Sequence, residues 1–237
     1  MRVLTWNLFH GRSQPPAGRD LSPAFADALA SWEWDAALLQ EVPPWWPARI
    51  ARACDAEYRA APTSRNCGLF LRRSIAERWP DVIKSNGGGC NAVLARHRII
   101  EHRAVRLRLL PERRVAQLVR FQDGTCVANF HASTREELAA EELASLWGRA
   151  LAFSGGDRLV LGGDLNLRRP RAPREQIAHV ASRDVDHLFA LGFAECGAPQ
   201  LLDRHAFVHG ARVELSDHVP LLAALHAHST HDTTAAS

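Results

Sequence analysis

The sequence predicts an α+β sandwich, with sheets packed face to face and helices outside. Two observations carry that prediction: the chain opens as strand, helix, strand, a βαβ-like unit, and its middle is a run of short strands joined as hairpins. A third observation bounds it. At 237 residues and 46% hydrophobic content the chain is long enough for one large domain with a sizeable core.

The elements follow in order. Arg2 to Leu8 is rich in β-formers and reads as a strand. Gly11 to Asp20, with Pro15-Pro16, is a loop. Ser22-Pro23 opens a helix, because serine caps well and proline suits the first helical position. Phe25, Leu29 and Trp32 recur at helical spacing, and this helix ends near Glu33. Asp35 to Gln40 is a short buried strand that Glu41 terminates. Pro43-Pro44 breaks the chain, and Trp45 to Ala53 forms a second helix. Cys67 to Leu71 and Asn91 to Ala95 are apolar runs read as strands, with a turn at Asn86-Gly87-Gly88-Gly89. No phosphate-loop lysine follows those glycines, so they are weak evidence for a phosphate cradle.

Arg103 to Leu110 alternates apolar and basic residues, then turns at Pro111-Glu112-Arg113. Val115 to Phe121 and Thr125 to Phe130 are strands joined at Asp123-Gly124, a strong hairpin signal, so this section is an antiparallel meander. Thr134-Arg135-Glu136-Glu137 matches a capping box and starts a helix to about Phe153, with Leu138, Leu143, Leu146 and Leu151 as its inner stripe. Val160-Leu161 is a buried strand opening onto Gly162-Gly163-Asp164-Leu165-Asn166. Pro173 to Ala181 reads as a short helix, and Val185 to Ala190 and Val219 to Leu225 as the last strands. The domain therefore spans 1–225, and the polar, small-residue-rich stretch 226–237 reads as a disordered tail.

Composition narrows the partners. Basic residues number 29 and acidic 26, a net charge of +3, well short of the strongly basic footprint of nucleic-acid binders. Local runs at Arg103 to Arg108, at Arg113-Arg114, and at Arg168-Arg169 with Arg171 and Arg174 read as solvated faces. Trp45, Trp46 and Trp79 can stack on bases but read first as packing residues. The five cysteines are odd in number and contain no Cys-x-x-Cys pair. That argues against a disulfide framework or structural zinc and for a reducing compartment. No signal-like leader and no bilayer-spanning apolar run is visible. A cytoplasmic, monomeric protein is expected.

One pattern repeats: an apolar strand ending in a catalytic-type residue. It occurs at Thr5-Trp6-Asn7, Gln40-Glu41, Asn129-Phe130-His131, Gly163-Asp164-Leu165-Asn166, Val185-Asp186-His187 and Ser216-Asp217-His218. Singly, each has an ordinary explanation, such as an Asx turn or a hydrogen-bonded histidine. Six in succession do not. Glu41, Asp217 and Asn7 offer hard oxygen ligands suited to Mg²⁺, whereas no His-Glu-x-x-His or Cys/His cluster suggests zinc.

This ordered set resembles the endonuclease/exonuclease/phosphatase superfamily with its DNase I-like fold. Gly89-Cys90-Asn91-Ala92-Val93-Leu94 also looks like a recurring segment of that family. The resemblance runs from Asn7 to His218. It implies a four-layered αββα sandwich, two mixed sheets packed face to face with outer helices. It also implies Mg²⁺- or Mn²⁺-dependent hydrolysis of phosphate esters.

By role, the resemblance assigns the metal chiefly to Glu41, with Asn7 and Asp217. His218 acts as general base or as donor to a phosphoryl oxygen, and Asp186 orients its imidazole. Asp164 orients or deprotonates the water. Asn166 and His131 donate to the non-bridging oxygens. Asn91 contacts substrate, while His10 and His187 are structural or supporting. Phosphodiesters are the expected substrates, with nucleic acid as one candidate and a nuclease-like reaction. Only nineteen residues separate Asn166 from Asp186, and the basic surplus is slight, which argues against extended duplex binding. The alternatives are a phosphatase or phosphodiesterase acting on a small molecule or lipid headgroup, and a non-catalytic binding module on the same fold.

Overall fold

A computed structural model of the chain describes residues 1–63, 66, 68–83 and 89–227. The first part runs β1 (Arg2–Asn7), β2 (Ser13–Gln14), α1 (Ser22–Ser31), β3 (Ala36–Val42), α2 (Pro47–Ala53), β4 (Glu57–Pro62), α3 (Leu69–Arg78) and β5 (Cys90–Ala95). Three meander strands follow, β6 (Ile99–Arg108), β7 (Arg114–Phe121) and β8 (Cys126–His131), then α4 (Glu136–Ser154) and β9 (Leu159–Asp164). The last part holds β10 (Ala178–Arg183), β11 (Asp186–Leu191), β12 (Glu195–Cys196), β13 (Gln200–Leu201), β14 (His205–Val208), β15 (Ala211–Leu215) and β16 (Leu221–His226).

Two large sheets form. One has the order β12-β16-β1-β3-β5-β4, with β13 also on β16; the other is β10-β11-β9-β8-β7-β6. A small third sheet joins β14, β15 and β2. Each large sheet is mixed: β1 pairs in parallel with β3, and β8 with β9, while their neighbours are antiparallel. Each parallel pair is joined by a crossover containing a helix, α1 or α4, as parallel strands require.

Alternation along each strand builds the four layers. In β1, Val3 faces the second sheet, whereas Leu4 and Trp6 face α1 and α2 with Phe25, Leu29, Trp46 and Ile50. In β8, Val127 faces inward and Ala128 and Phe130 face α4, against Leu143, Leu146 and Trp147. The inner layer holds Val3, Leu38, Val93, Val119, Val127, Val160, Leu188 and Leu221. The αββα sandwich is therefore present, as expected.

The inner layer is not apolar throughout. Along β1 the inward residues run Val3, Thr5, Asn7; along β8, Val127, Asn129, His131; along β9, Val160, Gly162, Asp164. Each stripe moves from aliphatic to polar toward the same end. Midway, Gln40 Nε2 donates to Asn129 Oδ1 at 2.8 Å and to Thr5 Oγ1 at 3.2 Å, and Asn129 Nδ2 donates to the Leu39 and Ala92 carbonyls at 3.0 Å. These buried amides tie the two sheets in one register, because any slip would leave them without their protein partners in a buried layer.

Several local expectations are corrected. Leu69–Leu71 begins helix α3, not a strand, and Cys67 lies outside the described residues. Residues 178–183 form β10 at a sheet edge, where a short helix was expected over Pro173 to Ala181. The capping box is not formed. Arg135 is the N-cap of α4, without a side-chain cap, and the Ser133 amide and hydroxyl are held by the buried Glu142 carboxylate at 2.9 and 2.7 Å. At α1, Asp20 accepts from both the amide and the hydroxyl of Ser22, so the aspartate supports the turn there. Trp46 packs on Phe25, but Trp79 is 58% exposed. Arg114, read as part of a solvated run, is buried. Residues 86–88 of the glycine turn and 228–237 of the tail lie outside the described residues. Among the described residues Cys54, Cys90, Cys126 and Cys196 are unpaired, and no helix is long and apolar enough to cross a membrane.

Candidate active site

The polar ends of the inner stripes converge. Asn7 from the first sheet donates its amide to Asp164 Oδ2 of the second at 2.9 Å. His131 Nε2 lies 3.4 Å from Asp164 Oδ2 and 3.8 Å from Glu41 Oε1. His218 Nδ1 meets Asp186 Oδ2 at 2.7 Å, and its Nε2 lies 3.7 Å from Asp164 Oδ2 and 3.9 Å from Asp217 Oδ1. Thus Asn7, Glu41, His131, Asp164, Asp186, Asp217 and His218 are linked contact by contact.

Asn166 sits beside them. Its amide N–H donates to Asp164 Oδ1 at 3.1 Å, and its side-chain Nδ2 donates to the Ala132 carbonyl at 3.0 Å. One of its two side-chain N–H groups is therefore already engaged. Asn91 is not brought into the ring of contacts. It is fully buried, its Nδ2 donates to the Val115 carbonyl at 2.8 Å, and its Oδ1 has no hydrogen-bond partner.

Left-handed backbone places these groups. Phe9, His10, Glu41, Asn166 and Ser216 all have φ between +49° and +63°, although none is glycine. Such residues cost of order 1–3 kcal/mol each and persist where surrounding contacts hold them. At Glu41 the β3–β5 register shifts between Leu39 and Val42, so the carboxylate leaves the strict alternation. At Ser216 the hydroxyl donates to the Asn7 carbonyl at 2.6 Å and accepts from the His218 amide at 3.1 Å. Trp6 Nε1 holds the His218 carbonyl at 3.0 Å.

Gly162 and Gly163 lie within β9 and let it approach its neighbours. A Cβ on Gly163, at φ +137°, would stand 1.9 Å from the Phe130 carbonyl oxygen. Gly163→Ala is expected to cost about 3 kcal/mol or more, measured by urea unfolding, because strand spacing here has no room to give.

Strand β11 serves the site from both faces. Asp186 faces inward to His218, and His187 faces outward, where its Nε2 donates to the Leu167 carbonyl at 2.7 Å and its Nδ1 meets His179 Nε2 at 3.0 Å. The Leu167 peptide follows the left-handed Asn166, so His187 pins that turn. Burial pushes His187 down to about 4. Its native form thus refuses a proton that the unfolded chain accepts below pH 6.5, and stability is lost as pH falls from there toward 4. Urea midpoints across that window are expected to drop in the wild type and to drop less in His187→Gln.

Two carboxylates of the site, Glu41 and Asp186, resist ionisation. Burial raises Glu41, and neighbouring Asp164 and Asp217 raise it further against His131 and His218. Burial pushes Asp186 up to about 6 despite the His218 hydrogen bond, and its Oδ1 is buried without a partner. Burial alone would lower His218, but the hydrogen bond to Asp186 and the charges of Asp186, Asp164 and Asp217 lift it to about 9. His131 is lowered by burial, and also by Arg114 and His10, against Asp164 and Glu41. Clustered carboxylates of this kind fit a divalent cation, which would relieve their mutual repulsion. Asp164, Asp186 and His218 bring ligand atoms within 4.8 Å of one another.

Two residues stand closer to the site than their sequence readings, a supporting histidine and a solvated arginine, place them. His10 Nε2 stands 3.2 Å from Glu41 Oε2. Arg114 lies close enough to His131 to lower it, and its Nε is buried without a partner. His10 follows Asn7 by three residues, at the end of the first strand motif, and that was the available signal.

Comparison places this geometry among known folds. An endonuclease/exonuclease/phosphatase from Beutenbergia cavernae superposes with TM-score 0.72 at 20% identity, over 96% of this chain and 71% of that one. TDP2 from Caenorhabditis elegans gives 0.71 at 17%, over 96% and 74%. A mannosyl-6-phosphatase from Bacteroides thetaiotaomicron gives 0.69 at 14%, over 95% and 99%. No curated protein matches the chain significantly. The family model for the Endonuclease/Exonuclease/phosphatase family matches residues 4–218, a span that begins in β1 and ends on the histidine paired with Asp186, and the chain belongs to that family.

Proposed function

We propose that the protein is a divalent-metal-dependent phosphoesterase that hydrolyses phosphodiester bonds by in-line attack of water. The observation that supports this most is the convergence of Asn7, Glu41, His131, Asp164, Asp186 and His218 from both sheets on one end of the inner layer. Glu41, with Asn7 and Asp217, would hold Mg²⁺ or Mn²⁺, and the oxygen donors suit either. Bound there, the ion supplies Lewis-acid stabilisation of charge on phosphate.

The protein's own groups do the rest. Asp164 orients the water and takes its proton as the new O–P bond forms. Asp186 holds the His218 ring and favours its protonated form, so His218 acts chiefly as donor, to a phosphoryl oxygen or the leaving oxygen, as the old P–O bond breaks. His131 and the second N–H of Asn166 donate to non-bridging oxygens.

Substrate choice rests on the rim. Arg168, Arg169, Arg171 and Arg174 follow Asn166 directly; Arg168, Arg169 and Arg171 are exposed, as is Arg174. Cations so placed favour a substrate with phosphates flanking the scissile one, as in a nucleic-acid strand. The short span to Asp186 favours instead a small phosphate ester. Single- and double-stranded DNA, RNA, bis(p-nitrophenyl) phosphate and sugar phosphates, each with Mg²⁺ or Mn²⁺, separate the two. Salt-sensitive oligonucleotide cleavage is expected, abolished by chelator. Turnover undiminished in excess chelator would sink the reading, and sugar phosphates alone as substrates would favour the second.

A further inference from the structure

The turn after β1 is built to present one side chain. Phe9, His10 and Gly11 are consecutively left-handed, at φ 49°, 55° and 76°. Two neighbouring non-glycine residues in that region are costly, and an outlier of this kind points to a use for the residue it displays. The surroundings hold the turn. Phe9 N donates to Asn7 Oδ1 at 2.9 Å, and Gly11 N to the Leu8 carbonyl at 2.8 Å. Trp46 presses on Gly11 so closely that a Cβ would stand 2.3 Å from its ring. Asp81 clasps the far side, accepting from Arg12 Nε at 3.0 Å and Gly18 N at 2.9 Å.

What the turn displays is the His10 imidazole, with Nε2 3.2 Å from Glu41 Oε2. Adjacent ligands on an octahedral ion, at about 2.1 Å from it, stand roughly 3 Å apart. The His10–Glu41 pair already has the spacing of one such edge. We propose that His10 is a further ligand of the divalent ion at Glu41, and that its nitrogen biases the site toward Mn²⁺ over Mg²⁺. Mg²⁺ demands near-ideal oxygen coordination and dehydrates reluctantly, whereas Mn²⁺, though it also favours oxygen, is a transition-metal ion that tolerates one imidazole beside carboxylates. The inference rests on the metal-dependent reading above and concerns which ion that site selects.

Calorimetric titration of the full chain with Mn²⁺ and with Mg²⁺ tests it, alongside nitrogen-coupling EPR of the Mn²⁺ form. The variants are His10→Ala and His10→Gln, with circular dichroism as the folding control. Wild type is expected to bind Mn²⁺ at least about tenfold tighter than Mg²⁺. Both variants are expected to lose most of that preference through weaker Mn²⁺ binding, and His10→Ala to lose the nitrogen coupling. Should His10→Ala fail to fold, His10→Gln carries the test. An unchanged preference, an unchanged nitrogen coupling in a folded variant, or full recovery in His10→Gln would overturn the proposal; the last would make His10 only an orienting partner of Glu41. Absence of binding of either ion to wild type would overturn both this inference and the metal-dependent reading. Equal binding of both ions would overturn the inference alone.

Discussion

Glu41→Ala is expected to lower phosphodiester turnover by at least about 10³-fold, or ~4 kcal/mol of transition-state stabilisation. Glu41 is the group to which the ion is chiefly assigned, and His10 and His131 flank its two oxygens. The same substitution is expected to leave the metal-free protein as stable as wild type or more so. Burial and the neighbouring Asp164 and Asp217 charges already disfavour an ionised Glu41, so its removal relieves repulsion. Mn²⁺ should raise the melting temperature of wild type by mass action and barely move that of Glu41→Ala. Thermal melts with and without the ion, read beside initial rates, check both parts. An active Glu41→Ala protein, or one that melts far below metal-free wild type, would contradict this assignment.

Opposite signs for activity and stability are what a functional carboxylate cluster should give, since its repulsion is tolerated only for the ligand it binds. The amides beneath the site should behave otherwise. Gln40 and Asn129 lie buried between the sheets with their donors satisfied, so truncating either leaves buried polar groups unpaired and weakens the fold itself.

Legibility in the sequence followed burial. β1, β3, β5, β8, β9, β11 and β16 are apolar runs because both faces of their sheets are covered, and each was readable from its residues. Elements at the edges were not. β4 and β10 are half-exposed edge strands with little alternation, and α3 buries only Ala76, so its Leu-Phe-Leu start mimics a strand. The β14–β15 hairpin left one usable trace, His209-Gly210, both at positive φ. In the site, Asn7, Glu41, His131 and Asp164 stand at or beside the ends of buried strands, which is what their sequence motifs encode, whereas Asp186 opens β11 and Asp217 and His218 lie between β15 and β16. The mutual placement of the site residues was not readable, since it depends on left-handed turns at Glu41, Asn166 and Ser216 that no hydrophobic period encodes. Arg114 was misread because a basic residue beside Arg113 looks solvated until the neighbouring strands cover it.

His218→Ala is expected to reduce turnover by about 10³-fold, and Asp186→Asn by about 10²-fold or more, with KM changing far less than kcat in both. The pair acts as a unit. Asp186 Oδ2 fixes His218 Nδ1 at 2.7 Å, leaving Nε2 directed toward Asp164 at 3.7 Å. An asparagine still fills the space but neither stabilises the charged imidazole nor dictates its tautomer. His218 would then fall from about 9, because the hydrogen bond and charge of Asp186 are the largest influences lifting it against burial. NMR titration of the His218 ring in metal-free Asp186→Asn should therefore show deprotonation at lower pH than in wild type. The double variant should be little worse than His218→Ala, since removing the ring leaves Asp186 nothing to orient. Additive losses would mean that Asp186 acts separately from His218, and that its partnerless Oδ1 reaches substrate or metal directly.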